Sequence, residues 1–436
     1  MNHYYDPMLF ASTERHPSNA AILMTLSEPV DGHILQEATE ELRERFPYFY
    51  VKPVIENQVL TVASNPLPIA VRNTWAPSFL CSKEVNYHLI AFKYEGNRLM
   101  LETSHILTDG SGIFPYVKSV MYCYLSRKTG KHFDPSGFRL PGDPIPETET
   151  GNPFEGLDLD AVEEPFYRKK ISPGFYSLNN TLSDRLKRGK NIFLKVPVDQ
   201  VIEFCKEQDG SPNVLFSVLL ARAIRRMDPE SKRTIVSGIA VNHKALLGNN
   251  DNYRAFSDMV YLDFPKSREH ESLTRMCTVA RGQLMLQTQP ENSMYYVKDL
   301  RDKFEMTQKL PGPVKPHMVD LMMAFPRGTC AVSYSIVKSF GPLDPYIENI
   351  FSLVEPDVVD VLLEIICFDK FFFISFMQNF SSEEFFDAFS EELKETGITA
   401  EVLWKDRCEL SGIRYDGIST DILEAFKDTI SNSFKL

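Results

Sequence analysis

No Cys-x-x-Cys pair, no His-Glu-x-x-His and no Gly-x-Ser-x-Gly occurs in this chain of 436 residues. The first two absences remove the common metal-ligand spacings, and the third removes the strained turn that presents a hydrolase serine. No metal site is expected. The seven cysteines are scattered, which suits reduced thiols in a cytoplasmic protein. A run of about 18 apolar residues is also missing, so no membrane-spanning helix is expected. The opening residues Met1, Asn2, His3 and Tyr4 lack a basic stretch leading into an apolar core, so a secretory signal is not expected either. Positive charge is in short supply: 47 Lys and Arg face 59 Asp and Glu, a formal net charge of −12. That balance argues against nucleic-acid binding and attachment to anionic lipid, but leaves room for a local basic patch toward an anionic cofactor.

The chain has an ordinary globular composition, 43% hydrophobic and 24% charged, and is long enough for two domains or one large pseudo-double domain. An apolar run from Ala21 to Leu26 reads as a strand. After Pro29 and Gly32, residues Ile34, Leu35, Ala38 and Leu42 fall at helical spacing. Residues 85–94 and Arg98–Ser104 read as a hairpin over Glu95-Gly96-Asn97. The second of these strands runs into Ser104-His105-Ile106-Leu107-Thr108-Asp109-Gly110. An amphipathic helix follows, from about Ser111 to Thr129, and Gly130 stops it. Histidine is suited to proton transfer near neutral pH because its ordinary pKa is about 6.5. The plain alternative is a histidine packed into a half-buried strand before a common Asp-Gly turn.

The strand, the His105-x-x-x-Asp109-Gly110 spacing and the helix together resemble the His-x-x-x-Asp-Gly acyltransferases. That superfamily contains chloramphenicol acetyltransferase, alcohol acetyltransferases and the condensation domains of nonribosomal peptide synthetases. The Arg45-Phe46-Pro47 segment is similar to the start of the alcohol acetyltransferase-like branch. The resemblance implies His105 as general base and Asp109 as a structural carboxylate; Gly110 permits a backbone conformation, or a close approach, that a side chain would block. Arg45 and Lys52 are candidate partners for Asp109. It further implies transfer from an acyl-thioester such as acyl-CoA to an alcohol or amine, with no permanently bound cofactor. A carrier protein is the other possible donor. A catalytically degenerate binding or scaffold member is the rival from a different class. Two departures matter to that rival: Ser104 stands where many relatives have a first histidine, and Ser333-Tyr334-Ser335 replaces a Ser/Thr-Asn-x-Gly turn. Ser104, Asn242, Ser333 and Ser335 are candidate site-lining residues.

The expected fold class is α/β, with two pseudo-equivalent chloramphenicol-acetyltransferase-like lobes, each a mixed sheet with flanking helices, and an active-site tunnel between them. Residues 1–133 form the first lobe. Residues 134–191, rich in proline and acidic side chains, read as a crossover linker ending in a basic cluster of Arg185, Lys187, Arg188 and Lys190 that could meet coenzyme A phosphates. Residues 192–436 form the second lobe with a terminal helix over 419–434. Within it, the apolar strand Ile235–Val241 leads to Asn242-His243-Lys244, where relatives carry a Val-Asn-(x)-Arg pattern. His243 is read as a loop residue, and residues 318–325 as part of a helical layer.

Overall fold

The computed structural model describes residues 18–56, 59–152, 154–171, 173–178, 189–310, 327–356, 358–407 and 410–416. The expected helices over 318–325 and 419–434, and Arg185, Lys187 and Arg188, lie outside them.

The first half begins with β1 (Asn19–Leu26), an apolar strand buried on both faces. Helix α1 (Gly32–Glu41) follows, capped by Asp31, whose carboxylate accepts from the His33 and Ile34 amides. A side hairpin of β2 (Val51–Glu56) and β3 (Val59–Ser64) leads to the short strands β4 (Val71–Asn73) and β5 (Phe79–Leu80). The hairpin β6 (Ile90–Glu95) and β7 (Arg98–Ser104) turns at Gly96, whose φ of 58° is one that favours glycine. Helix α2 (Gly110–Thr129) ends at Gly130 in the left-handed conformation, φ 67°. Pro115 lies inside the helix, at its sixth residue, where it leaves the Ser111 carbonyl without its intrahelical donor.

The second half runs β8 (Lys190–Pro197), α3 (Val198–Glu207), α4 (Pro212–Met227), β9 (Ile235–Asn242) and β10 (Ser257–Phe264). It continues with α5 (Leu273–Gln287), α6 (Pro290–Lys309), β11 (Cys330–Lys338), β12 (Ile347–Val354), β13 (Val361–Phe368), β14 (Phe371–Gln378), α7 (Glu384–Glu395), β15 (Glu401–Asp406) and β16 (Gly412–Ile413). Helix α4 is buried along most of its length, and its core is shared with Phe385 and Phe389 of α7 and with one face of the second sheet.

Two mixed sheets result, as expected. The first has the order β12-β1-β7-β6-β4 and the second β10-β9-β11-β13-β14-β8-β15. The sheets do not divide along the chain, however. β12 follows β11 of the second sheet and pairs antiparallel with β1 of the first, Ile22 opposite Ser352. β16 likewise returns to pair with β5. The sequence reading marked no strand over 347–354 or 401–406 and no helix over 290–309. β12 keeps no polar/apolar alternation because Ile350, Phe351, Ser352 and Leu353 are all buried between the sheets.

The proline-rich connection is held down where it is described. Glu149 takes a bidentate pair from Arg45, at 2.7 and 2.8 Å, and a 2.6 Å hydrogen bond from the Tyr253 hydroxyl. Arg139 lies 3.1 Å away. Both Arg45 and Glu149 side chains are 3% exposed. Replacing Glu149 by Leu is expected to strand a buried guanidinium and to lower stability by about 3 kcal/mol in urea unfolding. A change below about 1 kcal/mol, the size typical of an exposed pair, would refute that anchoring role.

Candidate active site

The end of β7 makes a tight turn. The His105 amide donates to the Ser18 carbonyl at 2.9 Å and the Leu107 amide to the Ser104 carbonyl at 3.1 Å. The His105 ring then folds over its own turn, with Nδ1 3.1 Å from the Thr108 carbonyl oxygen. A carbonyl only accepts, so Nδ1 carries the proton and the neutral ring keeps a lone pair on Nε2. Burial disfavours the charged ring and lowers its pKa from the ordinary value, against the opposite pulls of the Thr108 carbonyl and Asp109.

Asp109 is the N-cap of α2. Its Oδ1 accepts from the Ser111 amide at 3.0 Å, the Gly112 amide at 2.9 Å and the Ser111 hydroxyl at 2.7 Å. The same oxygen meets Lys244 Nζ at 2.8 Å, while Oδ2 accepts from the Phe256 amide at 3.1 Å. Lys244 follows β9 and Phe256 precedes β10, so both ends of the β9–β10 connection meet at this carboxylate at the start of α2. The Lys244 side chain is 1% exposed and that of Asp109 6%. Burial alone would push the Asp109 pKa up, but Lys244, Ser111 and the Phe256 amide outweigh it and hold the carboxyl below its ordinary value. The ammonium has fewer partners, Asp109 and the Ser111 hydroxyl at 2.8 Å.

The expected partners of Asp109 are therefore replaced. Arg45 is committed to Glu149, and Lys52 lies on β2 in the side hairpin. Lys244 occupies the basic position of the Val-Asn-(x)-Arg pattern, a signal that was legible in the sequence.

A cavity of about 540 Å³ opens between the two sheets beside this turn. Of the expected site residues, His105, Asp109, Gly110, Asn242, Ser333 and Ser335 line it. Asn242 donates to the Ser111 hydroxyl at 3.0 Å. Gly110 has no left-handed φ, and its role is the close approach: a Cβ there would come within 3.2 Å of the Ser335 hydroxyl. Gly112 is more tightly confined, since a Cβ would collide with the Tyr253 carbonyl and the Thr108 hydroxyl.

Ser104 does not reach the cavity. It is 0% exposed, and its hydroxyl accepts weakly from the Ile106 amide at 3.4 Å. Strand alternation explains the correction, because Thr103 and His105 face the cavity and Ser104 the opposite side. His243 is also turned away, its ring 4.6 Å from that of Tyr296, and burial pushes its pKa down to about 4. Lys190, the described member of the basic cluster, pairs with Glu383. Among the described residues no group of His, Cys, Asp and Glu suits a metal ion, and no helix is long and apolar enough to cross a membrane.

Sequence reasoning also missed Glu364 on β13. It lines the cavity beside Ser333 and Ser352, and burial pushes its pKa up to about 7.

A two-lobe α/β fold with this cavity between its sheets is the chloramphenicol-acetyltransferase-like fold that acetyltransferases and condensation domains share. Among solved structures, the chain is similar to the trichothecene 15-O-acetyltransferase TRI3 of Fusarium sporotrichioides, with TM-score 0.59 and 11% identity over 90% of this chain and 93% of that one. TRI101 of F. graminearum, solved with coenzyme A and T-2 mycotoxin, aligns with TM-score 0.58 and 12% identity over 91% and 97%. The condensation domain of the Monacolin K polyketide synthase MokA aligns with TM-score 0.52 and 11% identity over 90% and 94%. No protein-family model matches the sequence, and no curated protein matches it.

Because the folded-state pKa of Asp109 lies below its unfolded value of about 3.9, its contribution to stability is complete above that pH and is lost as pH falls through the folded value. Lys244→Met is expected to lower stability by about 3 kcal/mol near neutrality. The gap from wild type should narrow below about pH 4. Denaturant titrations of both proteins across pH check this, and a gap independent of pH would refute it.

Proposed function

We propose that the protein is an acyltransferase that moves an acyl group from a thioester such as acyl-CoA to an alcohol or amine, with His105 as general base. The observation that carries this reading is the pinned neutral His105: Nδ1 is held by the Thr108 carbonyl, and the ring lines a cavity between two sheets. The fold shared with TRI3, and with TRI101 in complexes with coenzyme A, supports it.

The acceptor oxygen or nitrogen attacks the thioester carbonyl carbon as Nε2 takes its proton. The carbonyl electron pair moves onto oxygen, and the adduct then collapses with loss of the thiolate. The imidazolium returns its proton to sulfur, leaving acylated acceptor and free thiol. Asp109 sits at the helix start with its own hydrogen bonds filled, so it fixes the turn and takes no proton. Ser335 is our assignment for the donor to the oxyanion. Its hydroxyl stands against Gly110 of the motif, whereas the Ser333 hydroxyl is drawn to Glu364. A thioester on a carrier protein would undergo the same steps.

Thiol release from a panel of acyl-CoA donors with alcohol and amine acceptors tests the reading. His105→Ala is expected to lower kcat by about 10²- to 10⁴-fold while acyl-CoA still binds. Turnover that survives the substitution would overturn the base assignment. Ser335→Ala should lower kcat by about 10²-fold with little change in KM.

The pH profile gives a separate check. Since burial lowers the His105 pKa, kcat/KM should rise with pH through a value below about 6.5 and be level at neutrality. A profile still climbing above about pH 7.5 would exclude this histidine as the titrating base.

A further inference from the structure

The wall of the cavity opposite His105 carries a carboxyl that the reaction does not use. Glu364 lies on β13 in parallel register with Ser333 of β11, so both side chains leave the second sheet on the cavity side. Ser352 of β12 reaches the same carboxyl from the first sheet. The residue is 7% exposed, and no Lys, Arg or His lies within ion-pair distance of it among the described residues. Across β14, Ser375 stands opposite Glu364, and its buried hydroxyl has no hydrogen-bond partner. The one lysine among the described residues that line the cavity, Lys118, holds its ammonium 5.5 Å from the Phe340 ring centroid and feels the charge of Asp344.

Two serine hydroxyls do not replace the hydration a carboxylate loses on burial. A charge in this setting needs a cation or gives up its ionisation. In keeping with that, burial raises the carboxyl's pKa to about 7. The carboxyl nevertheless faces a cavity of about 540 Å³, large enough to admit a small molecule. The wall also carries the apolar Ile22, Val354, Leu362 and Ala331 beside the serines, and Glu355 and Asn242 line the same cavity.

The geometry points to Glu364 as a specificity-determining residue that receives a cationic nitrogen of the acceptor, so the preferred acceptors are alcohols or amines that carry a second, protonated amino group. This rests on the proposed acyl transfer only in naming the ligand as the acceptor. The cation preference belongs to the cavity itself. A protonated tertiary amine brings its own N–H donor and charge to this carboxyl, while its alkyl chain lies along the apolar side chains. Ser333 and Ser352 then orient the carboxylate and do not need to neutralise it.

The test uses dimethylaminohexanol and the uncharged alcohol of the same shape, with an isopropyl group in place of the dimethylamino group. Binding to the full chain is measured by calorimetry without an acyl donor at about pH 8.5, where the carboxyl is ionised and the amine still protonated. Wild type should bind the amino alcohol about tenfold or more tightly than its isostere, the size expected of one hydrogen bond to a charged group. Glu364→Gln, which keeps the volume and removes the charge, should bind the two alike. Equal affinities in wild type, no measurable binding of either alcohol, or a preference that survives in Glu364→Gln would overturn the assignment.

A second readout separates this inference from acyl transfer. With acetyl-CoA as donor, Glu364→Gln should raise KM for the amino alcohol about tenfold. Its kcat, and the KM for acetyl-CoA, should stay within about twofold of wild type. Acyl transfer to plain alcohols without any cation preference refutes the role of Glu364 and leaves the base assignment standing. Cation-selective binding with no thiol release refutes the base assignment and leaves Glu364 as a ligand group. Loss of both kcat and KM in a variant that unfolds at the wild-type temperature would make Glu364 part of the chemistry and overturn its role in specificity alone.

Discussion

The ion pair between Asp109 and Lys244 is the constraint around which the two lobes are arranged. A carboxylate this deeply buried stays ionised only if donors surround it. Three of them come from the start of α2: the amides of Ser111 and Gly112 and the Ser111 hydroxyl. Lys244 and the Phe256 amide come from either side of the β9–β10 connection. The helix cap and the lobe contact are thus one object. The four-residue spacing follows from it: the chain must leave β7, expose His105, present the Thr108 carbonyl to the ring and still arrive at the helix start with a carboxylate. Gly110 and Gly112 keep that corner bare enough for Ser335 and the Tyr253 carbonyl to approach.

The cavity owes its form to a chain crossing. β12 leaves the second sheet and pairs with β1, so the first sheet presents Ser352 and Val354 beside Ile22, Ala20 and Thr103. β11 and β13 face them from the second sheet with Ser333, Ser335 and Glu364. In β13 the alternate residues belong to the core: Leu363 and Ile365 pack in the cluster built around α4, away from the cavity. A polar strip on one face and an apolar strip on the other is what a half-buried strand supplies at no packing cost. The polar residues accordingly line a space for a ligand while the fold is held from behind.

Much of this was legible in the sequence, and the failures have physical causes. The β6–β7 hairpin and α2 with its Gly130 stop carry strong local signals, and both stand where their patterns put them. β12 was invisible because a strand covered on both faces between two sheets shows no alternation. Helix α6 was hidden by a sequence dominated by polar and charged side chains. At the site, the His105 turn could be read from spacing alone, and Lys244 stood in the basic position of the Val-Asn-(x)-Arg pattern, but its pairing with Asp109 depends on the β9–β10 connection folding back onto α2. Arg45, nearer in sequence and adjacent to a familiar segment, was drawn instead to Glu149 in the crossover. Glu364 gave no signal because a single acidic residue within the apolar run Val361–Phe368 has no spacing motif that ties it to a site.

The same burial acts in opposite directions on two ionisable groups that line the cavity, His105 and Glu364. Desolvation disfavours charge whatever its sign, so it lowers the pKa of His105 and raises that of Glu364. For the histidine the consequence is a lone pair free at neutral pH, held in place by a carbonyl and needing no counter-ion. For the glutamate the consequence is an unmet demand, since its ionised form finds only hydroxyls. A cation arriving with the acceptor meets that demand and does not protonate or repel the neutral imidazole. The two groups therefore do not compete, and the acceptor can be gripped by charge at one wall while its nucleophilic atom is left, uncharged, to the base at the other.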